Sequence, residues 1–292
     1  MFRLLCVHAH PDDEASKGAP TVAKYVSEGH EAYLVCATGG EAGDILNPAM
    51  NKPEIAENLP AIRVEELEQS VKIIGYNELV WLGYRDSGMP DTEPNAHPEA
   101  FANAHLDEAV GRLVGIIRQL RPHVIITYAD DQQGYKHPDH LRVHEISVHA
   151  FDRAADPSWY PEVGHGAWQS SKMYYSLWSR ARMVAQHEAF ASMNKKSPYD
   201  ENWFKRRSLD HRITTRIDIA DFYGVRRDAL LAHATQVDPD ADFWFGLPDD
   251  VAAQAYPYED FILARSHVGL EAPEADLFAG VKPDAEAEED RP

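Results

Sequence analysis

Two short clusters of imidazole and carboxylate side chains are the residues of this chain best suited to chemistry. They are the segments 10–13, HPDD, and 137–140, HPDH. Each follows an apolar run, 4–7 in the first case and 124–127 in the second, that predicts a buried β-strand. Because the carboxyl ends of parallel strands share one rim of an open α/β sheet, we expect the two clusters to meet there.

The residue types in these clusters are those of a catalytic metal site. The first cluster offers His10 and Asp13 as ligands and leaves Asp12 as a spare carboxylate beside them. The second offers His140 as a ligand and His137 as a nearby imidazole. Two histidines and one carboxylate, with a position left open for water, are typical of catalytic zinc or iron(II) and not of a structural metal.

The remaining pattern predicts the elements that position these clusters. Apolar runs and helical periodicity alternate along the chain, as they do in βαβ units. Strands are predicted at 3–7, 32–37, 79–82, 124–128, 173–178 and 213–219, and helices at 20–28, 62–74, 106–120, 140–155, 182–193 and 221–235, the last capped by Asp221. We therefore predict an α/β, Rossmann-like fold: a mostly parallel sheet flanked by helices, with a C-terminal elaboration.

We expect three parts in the chain. Residues 1–165 would form the Rossmann-like catalytic core with the metal site, and residues 166–283 would complete the substrate cleft. Residues 284–292 are mostly acidic or small, which predicts a disordered tail.

Composition and charge restrict the classes of partner. The 292 residues carry a formal net charge of −20, which disfavours nucleic acid as a partner. The two cysteines, Cys6 and Cys36, lie in apolar runs and are expected to be free buried thiols. No signal peptide or membrane-length apolar run is evident, so we expect a cytoplasmic protein that acts on a small molecule away from membranes. The oligomeric state stays open.

Several segments spread along the chain carry a family resemblance. They are 7–14 (VHAHPDDE), 39–41 (GGE), 86–88 (DSG), 121–123 (RPH), 232–236 (AHATQ) and 277–280 (LFAG), together with the second cluster. With these segments the sequence resembles the PIG-L/LmbE family of metal-dependent N-deacetylases. The resemblance implies zinc on the three predicted ligands, and iron(II) also suits that donor set.

The resemblance also implies catalytic roles around the metal. Asp12 would be the general base that completes deprotonation of a water molecule acidified by the metal. His137, if protonated, would stabilise the oxyanion of the tetrahedral intermediate. Tyr135 could add a hydroxyl group toward the same oxygen or toward the leaving amine.

Three further residues are expected to bind substrate. Arg63 and Asp86 match family positions that contact a glucosaminyl-inositol group. Lys17 lies four residues after Asp13, so its ammonium group could reach the acyl side of the metal.

Within the family, Lys17 and the segment 47–50, NPAM, favour the branch that cleaves mycothiol S-conjugates. Such an enzyme hydrolyses the amide between the N-acetylcysteine S-conjugate and glucosaminyl-inositol, a detoxification step. The alternative is the branch that deacetylates N-acetylglucosaminyl-inositol in mycothiol biosynthesis, since both branches use the same catalytic residues. A non-catalytic binder of sugar-thiol adducts is disfavoured, because a binder does not need the base Asp12.

Overall fold

The fold is built around one mixed β-sheet. The computed structural model describes residues 1–132, 135–269 and 271–283, so the predicted tail, 284–292, lies outside the described residues. The sheet has seven strands within the described part of the chain: β1 (Arg3–His8), β2 (Glu31–Thr38), β3 (Glu78–Tyr84), β4 (Val124–Thr127), β5 (Lys172–Leu177), β6 (Thr215–Asp218) and β7 (Tyr258–Ser266). Their order across the sheet is β3-β2-β1-β4-β5-β7-β6.

The first five strands of the chain run parallel, and β7 pairs antiparallel with both β5 and β6. The chain moves outward from β1 to β2 and β3, and then returns to place β4 on the other side of β1. This reversal leaves a crevice beyond the carboxyl ends of β1 and β4, where ligands bind in open α/β sheets. The predicted fold class, a mostly parallel sheet flanked by helices, is confirmed.

Helices cover both faces of the sheet. In the described ranges they are α1 (Asp13–Ser16), α2 (Ala19–Ser27), α3 (Pro53–Glu57), α4 (Leu59–Ile74), α5 (Glu93–Ala96), α6 (Leu106–Leu120), α7 (Pro138–Arg153), α8 (Arg180–Ser192), α9 (Glu201–Lys205), α10 (Tyr223–Ala232), α11 (Asp242–Phe245) and α12 (Asp249–Ala255). None of the helices in the described residues is long and apolar enough to cross a membrane.

The hydrophobic core has two layers because β1 is buried on both faces. Leu4 and Cys6 point into one layer, whereas Leu5 and Val7 point into the other. Such alternation within a continuous apolar run is what a central parallel strand requires. Cys6 and Cys36 are free and buried, as predicted.

The structure corrects the sequence predictions in three places. Strand β7 was not predicted. The helix predicted over 221–235 is α10, which ends at Ala232 and has Phe222 rather than Asp221 at its N-cap. Helix α7 begins at Pro138, with the Nδ1 of His137 accepting a hydrogen bond from the Asp139 N–H at 3.2 Å, so the second cluster forms its first turn.

Candidate metal centre and active site

The three predicted metal ligands lie together at the carboxyl ends of β1 and β4. Asp13 Oδ2 is 3.4 Å from His10 Nδ1 and 3.3 Å from His140 Nε2. His10 follows β1, Asp13 is the first residue of α1, and His140 lies in the first turn of α7. All three side chains are buried. Two imidazole nitrogens facing one carboxylate oxygen form a donor set that fits a divalent cation.

Carboxylates on the far side of His10 fix the orientation of its ring. His10 Nε2 is hydrogen-bonded to Asp139 Oδ2 at 3.1 Å, and Asp86 Oδ1 lies 3.5 Å away. Asp139 also accepts a 2.9 Å hydrogen bond from the Ser87 N–H. A carboxylate behind a ligating histidine orients it and raises its basicity, so this arrangement leaves Nδ1 available toward Asp13.

Burial and charge set the protonation of the cluster. Burial lowers the pKa of His140 to about 4, which favours the neutral imidazole that binds metals. Burial also disfavours protonated His10, but its bonds to Asp13, Asp139 and Asp86 outweigh burial and raise its pKa well above the ordinary value. A cation near His10 Nδ1 would compete with that proton, and so metal binding would release it.

Two further sets of donor atoms overlap the first. Single ring nitrogens of His10, His137 and His140 lie within 4.8 Å of one another, as do donor atoms of His10, Asp86 and Asp139. His10 therefore belongs to every candidate metal group found among the described residues. The set with Asp13 is favoured because its carboxylate oxygen lies close to both imidazoles.

Asp12 has a different environment from Asp13. Its side chain remains 32% exposed, and Arg63 Nη2 donates a 3.1 Å hydrogen bond to Oδ2. Burial in the cleft raises the pKa of Asp12, and the Arg63 guanidinium opposes that rise. Arg63 also donates to the carbonyl oxygens of Pro11, at 2.7 Å, and Gly40, so it holds together the loops after β1 and β2.

His137 and Tyr135 lie beside the ligand cluster. The ring centroid of His137 is 4.5 Å from that of His10 and 5.2 Å from that of His140. Burial lowers the pKa of His137, and the charge of the nearby His10 lowers it further. Because Nδ1 of His137 accepts a hydrogen bond from the backbone N–H of Asp139, Nε2 carries the proton of the neutral ring. Tyr135 lies farther out, 56% exposed.

Lys17 and Asp86 line the same site but already have partners. Lys17 Nζ lies 2.5 Å from Asp13 Oδ1, and its charge, against the effect of burial, holds the pKa of Asp13 well below its usual range. Asp86 accepts hydrogen bonds from the backbone N–H groups of Gly88, at 2.8 Å, and Ala42, at 3.2 Å.

Sequence reasoning missed Tyr128. Its hydroxyl donates a 2.6 Å hydrogen bond to Asp13 Oδ2, and its ring stacks on His140 with centroids 4.3 Å apart. One side chain thus positions two of the three candidate ligands. The signal was available, because Tyr128 directly follows the apolar run of β4.

Glu14 and His233 form a buried ion pair behind the cluster. His233 Nε2 donates to Glu14 Oε1 at 2.6 Å, and Glu14 Oε2 accepts the Asp12 N–H at 2.9 Å. Ser70 Oγ donates to the same Oε1 at 2.5 Å. Glu14 therefore links the segment after α10 to the backbone of the first cluster.

Breaking this pair by removing its cation is expected to lower the stability of the protein. His233→Ala leaves a buried carboxylate without its cation, which typically lowers the free energy of unfolding by about 3–5 kcal/mol. Glu14 raises the pKa of His233 despite burial. The contribution of the charged His233 is therefore fully present below its unfolded pKa of about 6.5 and is lost as pH rises through the folded value.

Urea unfolding across pH measures this effect. His211→Ala, at an exposed histidine, is the control and should change stability by no more than about 0.5 kcal/mol. If the loss in free energy of unfolding caused by His233→Ala does not become smaller as the pH rises, His233 is neutral in the folded protein.

All nine predicted site residues line one cleft of about 640 Å³. They are His10, Asp12, Asp13, Lys17, Arg63, Asp86, Tyr135, His137 and His140. Such a volume is typical of a small-molecule site.

Comparison with known proteins identifies the family of this site. Residues 5–151, which contain both clusters, match the family model of PIG-L, described as GlcNAc-PI de-N-acetylase. The chain belongs to the PIG-L family. Its PIG-L region begins in β1 and ends in α7, and so it spans both sides of the crevice.

Full-length relatives place this PIG-L chain among amide hydrolases. It is 46% identical to a mycothiol S-conjugate amidase of Streptomyces coelicolor, over 97% of this chain and 99% of the relative. It is 38% identical to a 1D-myo-inositol 2-acetamido-2-deoxy-alpha-D-glucopyranoside deacetylase of Geodermatophilus obscurus, over 96% of this chain and 98% of the relative. This PIG-L chain is therefore a hydrolase of the amidase and deacetylase class.

A solved structure supports the fold. The N,N'-diacetylchitobiose deacetylase of Pyrococcus horikoshii superposes with a TM-score of 0.61 at 21% identity, covering 97% of this chain and 87% of that one. PIG-L deacetylases are metal-dependent, and the His and Asp group of this chain could hold a metal ion.

Proposed function

We propose that this chain is a zinc-dependent amidase that cleaves mycothiol S-conjugates. The bond hydrolysed is the amide between the N-acetylcysteine S-conjugate and glucosaminyl-inositol. The observation that carries the hydrolytic part is the position of Asp12 and His137 beside the His10–Asp13–His140 cluster in one cleft. The choice of substrate rests on 46% identity to the Streptomyces coelicolor amidase over nearly the whole length of both chains.

We assign the metal to His10, Asp13 and His140. A divalent zinc ion held there would supply Lewis acidity, acidifying a water molecule and polarising the amide carbonyl. Lys17 and Tyr128 both bond to Asp13 and would keep its carboxylate in place. Lys17 could bind an acyl group only by breaking its contact with Asp13. We therefore assign it the role of holding the Asp13 carboxylate before that of binding substrate.

Asp12 would take the proton from the attacking water. Its pKa is raised and its side chain is partly exposed, which suits a base that must meet a water molecule in the cleft. Water oxygen then bonds to the carbonyl carbon, and the carbon–nitrogen bond breaks. Asp12 passes the proton it has taken to the glucosamine nitrogen, which leaves as an amine, while the acyl group becomes a carboxylic acid.

His137 would act on the carbonyl oxygen. In the neutral ring Nε2 carries the proton, and so this atom can donate a hydrogen bond to the developing oxyanion. Tyr135, on the rim, would add its hydroxyl group. Arg63 and Asp86 would bind the sugar hydroxyls, with Asp86 as acceptor.

The second candidate is the deacetylase of mycothiol biosynthesis. Its support is the 38% identity to the Geodermatophilus obscurus deacetylase, again over nearly full length. Both candidates need the same catalytic residues. They differ in the space required on the acyl side, which is a methyl group for the deacetylase and a whole S-substituted N-acetylcysteine for the amidase.

A comparison of rates tests the proposal. The zinc-loaded protein is expected to hydrolyse the bimane conjugate of mycothiol with a kcat/KM at least about tenfold above that for N-acetylglucosaminyl-inositol, equal to about 1.4 kcal/mol. The reverse order would favour the deacetylase. Binding of both compounds without turnover of either would point to the non-catalytic binder.

A further inference from the structure

Four aromatic side chains that contact one another form a continuous surface in the cleft. We call this surface the aromatic wall; it consists of Trp178, Trp203, Phe243 and Trp244, all of which line the cleft. Phe243 is at its centre: its ring stacks nearly parallel to Trp178, with centroids 5.6 Å apart, and stacks on Trp203 at 5.7 Å with the two planes inclined by 28°. Trp244 packs edge-on against Phe243 at 4.8 Å.

The aromatic wall is incompletely buried. Each of its four side chains is half-buried, although three separate elements converge to build it. Trp178 follows β5, Trp203 lies in α9, and Phe243 and Trp244 lie in α11. Aromatic rings that converge on a cleft and keep part of their surface open provide an apolar binding surface.

Two arginines support the aromatic wall. The guanidinium carbon of Arg182 lies 4.1 Å from the ring centroid of Trp178, and that of Arg206 lies 4.1 Å from the ring centroid of Trp203. Cation–π contacts of this kind restrain the rings they cover. The surface is thus largely preformed, which limits the entropy cost of binding a rigid apolar group.

Sheet order determines which part of a substrate can reach the aromatic wall. Asp86 follows β3, the candidate metal ligands follow β1 and β4, and Trp178 follows β5. Since the order is β3-β2-β1-β4-β5, the ends of β1 and β4, which position the candidate metal ligands, lie between the end of β3, where Asp86 contacts His10 from one side, and the end of β5, which leads into the aromatic wall. A substrate with its sugar near Asp86 and its amide at the metal centre therefore directs its acyl group toward Trp178.

We propose that the aromatic wall is the subsite for the S-substituent of the conjugate, and that it selects apolar and especially aromatic substituents. This inference rests on the proposed amidase function. It also indicates why a pure deacetylase would have no use for the surface, since an acetyl group ends at the metal centre.

The test compares two mycothiol conjugates that differ only at sulfur, S-bimane and S-methyl. Phe243→Ala removes the centre of the aromatic wall, and Trp203→Leu alters its edge with less risk to folding. We expect the ratio of kcat/KM, bimane over methyl, to fall about tenfold or more in Phe243→Ala and in the same direction in Trp203→Leu. Trp159→Ala, at an exposed tryptophan that does not line the cleft, is the matched control and should leave the ratio unchanged.

A binding measurement gives a readout independent of turnover. Quenching of tryptophan fluorescence should show that wild type binds S-benzyl-N-acetylcysteine more tightly than S-methyl-N-acetylcysteine, and Phe243→Ala should lose that preference. An unchanged kcat/KM ratio in both variants overturns the subsite while the amidase function stands. An equal loss for both conjugates also overturns it, because the rings would then be stacking on the sugar. Failure of wild type to hydrolyse either conjugate refutes the amidase function itself.

Discussion

Asp12→Asn is expected to lower turnover about a hundredfold or more while one metal ion stays bound per chain. Loss of a general base costs about this much, because the amide side chain cannot accept the proton of the attacking water. The candidate metal ligands are other residues, so the metal should remain. Steady-state rates together with metal analysis of the same protein sample give both quantities.

Asparagine is also the right replacement for the backbone at this position. Asp12 has φ of 103°, in the left-handed region where asparagine and aspartate are tolerated better than other side chains. Asp12→Asn therefore tests the proton affinity of the side chain with little added backbone strain, whereas Asp12→Ala would change both the proton affinity and the strain. Loss of the metal along with activity would identify Asp12 as a ligand and contradict its role as base.

His140→Ala is expected to abolish stoichiometric metal binding and, with it, activity. His140 Nε2 is 3.3 Å from Asp13 Oδ2, and removing it leaves two of the three candidate ligands. Zinc content after dialysis, measured by elemental analysis, checks the first part, and circular dichroism checks that the fold persists.

His149→Ala provides the matched control for that experiment. His149 lies in the same helix, α7, but does not line the cleft. Its loss should leave both zinc content and turnover near wild type. Tight binding of one zinc per chain by His140→Ala would exclude His140 and favour a set that keeps His10 with Asp86 and Asp139.

The sequence predicted the parallel part of the fold well, because those strands are continuous apolar runs between periodic helices. It failed at β7, whose apolar core is short and flanked by charge, and whose position depends on pairing with β5 and β6 far away in the chain. The Asp221 cap failed for a local reason: a short 3₁₀ turn precedes α10 and takes up that residue.

Site residues were predictable where local motifs contain them and not where distant segments meet. The two clusters can be recognised in the sequence by their residue types and by the predicted strands that precede them. The aromatic wall cannot be recognised in this way, because Trp178, Trp203 and Phe243 are adjacent only after folding. Likewise the role of His233 is not evident from the sequence, because its partner Glu14 lies 219 positions earlier.

The pairing of β4 with β5 has a consequence for how the chain emerges from the ribosome. The PIG-L match ends at residue 151, before β5, so a nascent chain of that length exposes the edge of β4, whose four residues are all buried in the finished sheet. Unpaired edges promote aggregation. At about 5–20 residues per second, roughly 6–23 s separate synthesis of residue 151 from that of Ser266 at the end of β7. Until His233 is synthesised within that interval, Glu14 also lacks its buried partner, so the first cluster acquires this support well after its own synthesis.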